Sequence, residues 1–293
     1  MRVGVWRRFR PRVTYDNSRH ELYQLVQAEI QRAVPHMRRL NWQDDRWLND
    51  AIKRLLAKAE QYPEGERNVA IASTWIALTV LQSPRAARAQ VQMDKHHGGY
   101  KERKARLFEL IDFNDAFVSS VLALPEEYLA EFNQRLFIEM AAFCKKLRVS
   151  SFTAEQFEAI NHGLSREIAV YRGAIAEGLG ASMTSRVQDA KGVDMIITDP
   201  HSHRSINIDC KTSSSFHFRL VDRHRQGRMS DQAKLRCETQ GYCSTINGKH
   251  EFAVDVVLVR IDTELLGKIH NFTFSDTSRL GILLRSALED HGA

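Results

Sequence analysis

The scarcest features of this sequence narrow it first. Four cysteines, Cys144, Cys210, Cys237 and Cys243, are scattered through 293 residues without a framework. The closest pair, Cys237 and Cys243, lacks the usual spacing of a zinc knuckle. Neither a disulfide scaffold nor a cysteine-held zinc is indicated, and free thiols in a reducing compartment are expected. Long apolar runs are missing too. No stretch is long enough to span a bilayer, and the opening residues MRVGVWRRFRPRV lack the apolar core of a signal peptide. We therefore expect a cytoplasmic protein without a membrane partner. Internal repeats and low-complexity tracts are likewise missing, which argues against a solenoid or a compositionally biased tail. Adjacent His96 and His97 would point to different faces of a helix, so no shared metal site is expected there.

What remains is an ordinary globular composition, 43% hydrophobic and 27% charged, long enough for one large or two modest domains. A formal charge of +6 leans toward a polyanionic partner. The first residues carry Arg2, Arg7, Arg8, Arg10 and Arg12 interleaved with Trp6 and Phe9. Such an arm can neutralise phosphates and stack on bases, or it is a strand-like end with solvated charges.

From residue 17 to about 147 the pattern is helical. Leu22, Leu25, Val26 and Ile30 recur at helical spacing, and Trp47, Leu48, Ile52, Leu55 and Leu56 form a second stripe that stops near Pro63 and Gly65. Residues 69–81 are apolar nearly all round, as in a buried central helix, with Pro84 expected to close it. A basic run follows, with Arg85, Arg88, Lys95, Lys101, Arg103, Lys104 and Arg106 around Gly98-Gly99. Lys101, Arg103 and Lys104 either contact phosphate or form a solvated face. Helices are expected over 106–124 and, opened by Pro125, over 126–147, where Leu129, Phe132, Leu136, Met140 and Phe143 make a core stripe.

Near residue 150 the character changes. Thr153 caps a short helix to 162, Gly163 breaks it, and Ser165 caps another that ends at Gly178 or Gly180. Ile168, Tyr171, Ile175 and Leu179 form its expected core stripe. Glu167 lies at the stripe's edge, where an acid is costly unless paired or ligating; Glu177 is its competitor. A weakly patterned strand is expected at 183–188. Residues 193–198 and 206–212 are β-patterned and joined by DPHSHR, a turn that opens with Asp-Pro. Pairing Thr198 with Ser205 brings Asp194 opposite Asp209, and strand alternation places Lys211 on the face of Asp209. Two facing carboxylates repel unless a cation lies between them; a hard divalent ion is the natural filler, and a lysine beside it suits an anion. His201, His203, His217 and His224 are read as loop histidines. Arg219, Arg223, Arg225 and Arg228 follow the lysine, where a nucleic-acid backbone would meet them. A helix at 229–242 carries Gln232 and Lys234, both placed to assist. Residues 252–261 form the clearest buried strand, 272–274 a short one, and Ser275-Asp276 cap a last helix over 279–288.

Asp194, Asp209-Cys-Lys211 and the approach Gly163-Leu-Ser-Arg-Glu167 resemble the core of the PD-(D/E)xK nuclease superfamily, in its Holliday-junction-resolvase-like form. Val193 stands where that family usually has proline. The resemblance covers the C-terminal half, whose order of helix, strand, hairpin, helix and strand is similar to the family core. With the helical pattern before it, an α+β chain is expected, whose residues 1–150 form a basic, all-helical domain suited to nucleic acid, a protein partner or dimerisation. The resemblance implies that a restriction-endonuclease-like α/β domain follows over 151–293, with a central mixed sheet flanked by helices. It further implies Mg²⁺ or Mn²⁺ held by Asp194, Asp209, the Cys210 carbonyl and Glu167, with Lys211 catalytic. The implied activity is metal-dependent phosphodiester hydrolysis, foremost as a DNA endonuclease. RNA cleavage, or nucleic-acid binding with little catalysis, is the alternative.

Overall fold

Apolar residues at helical spacing fill the first half, and helices form there: α1 (Asn17–Ala33), α2 (Arg46–Ala59), α3 (Val69–Lys95), α4 (Tyr100–Ala123) and α5 (Leu129–Leu147). The computed structural model describes residues 17–34, 46–95, 100–247 and 253–292, with the side chains of 17–20 and 94–107 outside that description. Ala72, Ile76, Ala77, Val80 and Leu81 of α3 are fully buried, and α3 packs against α1, α2, α4 and α5. Where α3 meets α4, the Thr79 and Ser120 hydroxyls lie 3.1 Å apart, each also within hydrogen-bond distance of a carbonyl of its own helix, Trp75 O or Ala116 O, so that one donates to its carbonyl while accepting from the other. No buried hydroxyl is left unsatisfied at that contact.

Pro84 does not close α3, contrary to its usual reading; the helix continues to Lys95. A proline nitrogen cannot donate to the carbonyl four residues back, here that of Val80. Ser83 Oγ donates to Val80 O instead (2.8 Å), which replaces the lost bond. Pro125 likewise precedes a single 3-10 turn, Glu126–Tyr128, rather than an α-helical start.

The second half begins with α6 (Ala154–Ala176), and the expected break at Gly163 does not occur. Thr153 opens the helix through a capping box: its Oγ1 accepts from the Gln156 N–H (3.2 Å), and Gln156 Oε1 accepts from the Thr153 N–H (3.0 Å). Ser165 is therefore inside the helix, donating to Asn161 Oδ1, and is not a cap. Gly178, at φ +78°, supplies the left-handed residue after the helix end. Ile168, Tyr171 and Leu179 are buried as the stripe requires, whereas Ile175 is 49% exposed.

A five-stranded mixed sheet follows, in the order β1-β2-β3-β5-β4. Its strands are β1 (Gly180–Met183), β2 (Met195–Thr198), β3 (Ser205–Thr212), β4 (Tyr242–Asn247) and β5 (Val254–Ile261). The first three form an antiparallel meander, β5 lies parallel to β3, and β4 pairs antiparallel to β5. The parallel pair requires a crossover, supplied by α8 (Ser213–Arg225) and α9 (Asp231–Gln240). One-turn helices α7 (Arg186–Asp189) and α10 (Thr263–Leu266), a hairpin of β6 (Ile269–His270) and β7 (Thr273–Phe274), and α11 (Ser278–His291) complete the described chain.

Two readings change here, and two strands are placed that no reading had located. The strand expected at 183–188 is β1, ending at Met183, because Ser185 and Gln188 form a capping box that starts α7. Residues 213–225 are helical although Ser-Ser-Ser is a poor helix former; Thr212 caps them by accepting from the Ser215 N–H. β4 forms one edge of the sheet, and no local pattern had marked it. The strand near 272–274 belongs to the β6–β7 hairpin, outside the main sheet. One continuous buried cluster joins residues from Leu22 to Leu288, so the helical half and the sheet share apolar contacts. Among the described residues no helix is long and apolar enough to cross a membrane.

Candidate active site

The hairpin pairs in the expected register from Thr198↔Ser205 to Met195↔Ile208. At Asp194 the ladder departs from it. Its N–H donates to Ile208 O (2.9 Å), the residue already opposite Met195, so two residues of one strand face one of the other, as in a β-bulge. Asp194 is thereby offset from Asp209 rather than paired squarely opposite it. Its Oδ2 accepts from the Cys210 N–H (2.7 Å). Asp209, 2% exposed on the central strand, accepts from Lys211 Nζ through Oδ1. Thr184 holds the backbone of the approach, donating from Oγ1 to the Val193 and Asp194 carbonyls.

Gly192 turns the chain into this site. Its φ of +77° favours glycine, and a Cβ there would come within 2.9 Å of Asn247 Nδ2 and 3.7 Å of Asp209 Oδ2. The turn follows α7 and carries Asp189 to the same place. Glu167 arrives from α6 and Asp115 from α4. Glu167, Asp189, Asp194 and Asp115 all line one cavity of about 190 Å³, together with Asn114 and Arg186.

Electrostatics set the character of the site. Burial, then Asp194 and Asp189, push the Glu167 carboxyl well above the usual range. Burial and Asp209 push Asp194 up to about 8, against the opposing Lys211 charge and Cys210 N–H. Asp189 rises to about 6 through burial and Asp209, and Asp115 to about 7 through burial, Asp189 and Asp112. Burial also raises Asp209, although Lys211 and then Arg219 pull it back. For Lys211 burial alone would lower the pKa, but Asp209 and Asp194 outweigh it and the ammonium is favoured. Burial keeps the Cys210 thiol protonated. An excess of carboxyls over cations in a desolvated place must take up protons or a cation.

Glu167 and Glu177 part company in the structure. Glu177 accepts from Thr277 Oγ1 (2.6 Å) and pairs with Arg285 of α11 (3.6 Å), a tie between helices away from the acids. Asp189 and Asp115 were not picked out from the sequence. Asp189, five residues before Asp194, had a legible signal in the Ser185-x-x-Gln188 capping box that it directly follows; Asp115 had none. Arg219 of α8 lies near enough to lower the Asp209 pKa. Arg225 and Arg228 are exposed, whereas Arg223 is half-buried with its Nε lacking a partner. Gln232 is exposed on α9, and Lys234 pairs with Glu238 (3.8 Å). His217 and His224 are not loop residues; from α8 they meet Glu238 (3.0 Å) and Asp231 (2.9 Å) of α9. The side chains of Lys101, Arg103 and Lys104 lie outside the described residues, as does the whole arm carrying Arg2 to Arg12.

Among the described residues, no three His, Cys, Asp or Glu side chains are arranged to hold a metal ion. By chemistry alone, though not in this arrangement, Asp194, Asp209 and Glu167 are donors of the kind a hard divalent cation takes, and their mutual repulsion would be relieved by one. Compared with known protein families, curated proteins and solved structures, the chain matches none.

Proposed function

We propose that this protein hydrolyses phosphodiester bonds in nucleic acid, DNA foremost, with Mg²⁺ or Mn²⁺ held by Asp194, Asp209 and Glu167. The observation carrying this reading is the gathering of buried carboxyls beside Lys211 on the central strand. The order of α6, the β1–β2–β3 meander, the α8–α9 crossover and β5 supports it as well, being what the PD-(D/E)xK resemblance leads one to expect. A bound divalent ion would lower the pKa of a water and offset charge building on the phosphate. Lys211 presents its ammonium beside Asp209, where it can orient the attacking water or pair with a phosphate oxygen. Arg219, Arg225 and Arg228 are exposed on and just after α8, and would hold backbone phosphates.

Incubating the purified protein with linear, circular and single-stranded DNA, and with RNA, with and without Mg²⁺ tests this. Cleavage should require the metal and fall at least about a hundredfold in Asp194→Ala, Asp209→Ala and Lys211→Ala. Full cleavage by Asp209→Ala would sink the assignment. A second reading, nucleic-acid binding without cleavage, is favoured by one observation: Asp194 and Asp209 are served by the chain's own Cys210 N–H and Lys211 ammonium. Retention of DNA with no cutting in Mg²⁺ or Mn²⁺ would select it.

A further inference from the structure

A cavity of about 430 Å³ lies between α5, α6 and the β6–β7 hairpin. It draws Asn161, His162, Ser165 and Arg166 from α6, whereas the acidic cavity draws Leu164 and Glu167. At helical spacing these sets fall on opposite sides of α6. The lining here carries no acid: Arg166, Lys268, His162 and His270 supply the charge-bearing groups, and asparagine, serine and threonine supply hydrogen-bonding ones.

Arg166 is half-buried, yet its bonds are to uncharged acceptors. Its Nη1 donates to the His162 carbonyl (2.7 Å), and its Nη2 meets His162 Nε2 (3.3 Å). Among the described residues neither Arg166 nor Lys268 has a carboxylate partner. Arg166 Nε and Asn133 Oδ1, both from lining residues, are buried without any hydrogen-bond partner. Burial lowers the guanidinium's pKa with no neighbouring charge to offset it. A guanidinium in such surroundings is favoured by an anion from outside.

The hairpin wall is held rigid. Its two-residue turn, Asn271-Phe272, has φ +47° and +61°, as a type I′ turn requires, and a phenylalanine is unusual there. Phe272 is kept in place by burial against Phe117 and Phe132, with ring centroids 6.1 Å away in each case. Buried Arg172 braces the same turn, donating to Asn271 O (3.2 Å) and, from Nη2, to Val121 O (2.9 Å). A strained turn kept so firmly at a cavity wall points to a preformed site.

We propose that this cavity binds the phosphate monoester of a nucleotide, independently of the hydrolysis proposed above. Two permanent cations and two histidines exceed what a single carboxylate would need, whereas a phosphate monoester carries close to two charges and three acceptor oxygens. The volume exceeds that of phosphate and leaves room for a nucleoside.

Calorimetric titration of the full chain with inorganic phosphate, adenosine 5′-monophosphate, adenosine and a 5′-phosphorylated hexanucleotide provides the test. The monophosphate should bind and be displaced by phosphate, and adenosine should not bind. Arg166→Gln and Lys268→Ala should each weaken binding at least tenfold, while Asp209→Ala binds as the wild type does. Lys268 is exposed, so its variant keeps the test valid if Arg166→Gln fails to fold. Preference for the monophosphate assigns a free nucleotide, and preference for the hexanucleotide assigns a strand end. Binding of neither, binding unchanged in both variants, or binding lost in Asp209→Ala would overturn the proposal.

Discussion

Asp115 shows how a single side chain couples the two halves of the molecule. It sits on α4, but the charges that raise its pKa are Asp189, from the sheet half, and Asp112, after burial itself; Arg186 opposes them. A carboxyl raised above its unfolded value of 3.8 stabilises the fold fully only below that pH. That contribution is lost as pH rises through about 7, where the folded protein must bury a charge that the unfolded chain solvates. Without added metal, Asp115→Asn should therefore melt with the wild type near pH 4 and above it near pH 8. Parallel melting curves across that range would show that Asp115 ionises freely. Ser83 acts as locally as Asp115 acts remotely: its one hydroxyl lets a proline sit inside α3.

At the scale of elements, α6 is the pivot. One face presents Glu167 to the acidic cavity and the other presents Arg166 to the cavity beside the hairpin. Gly163 lies on its exposed side, in mid-helix, and a Cβ there would meet nothing within 4 Å. Glycine in a helix interior costs about 0.5–1 kcal/mol relative to alanine through backbone entropy. Gly163→Ala should accordingly raise Tm by about 2 °C and leave cleavage unchanged. A fall in Tm would mean that α6 depends on glycine's freedom at that point. Where α6 meets α11 the opposite holds, since a Cβ on Gly281 would approach Glu177 Oε2 to 2.4 Å.

For the whole molecule, the formal charge of +6 coexists with a strongly acidic cavity, so the basic groups must be gathered elsewhere. Arg219, Arg225 and Arg228 are exposed on one connected segment beginning with α8, next to the central strand that carries Asp209. Their joint replacement by alanine should weaken DNA binding alike across sequences. The log-affinity against log-salt slope should fall by about 0.9 for each lost phosphate contact on duplex DNA. An unchanged slope would assign phosphate binding to other segments of the chain. Arg223 is left out of that variant because it is partly buried near Cys237, where its loss would also disturb packing.

Much of this could be read from residues alone, because the determinants were local. Turn chemistry and strand alternation predicted the hairpin register, Thr153 marked the start of α6, and Glu167 stood out as an acid beside an apolar stripe. Local rules also failed where a neighbour supplied what they assume missing, as Ser83 did for Pro84. The bulge at Asp194, the parallel pairing of β3 with β5 and the edge position of β4 depend on which strands meet, which no local pattern states. The gathering of Asp115, Asp189, Glu167 and Asp194 around one cavity is decided by the packing of α4, α6 and α7 against the sheet. Burial and mutual repulsion then shift their proton affinities together, and those forces act between groups that only the tertiary fold makes neighbours.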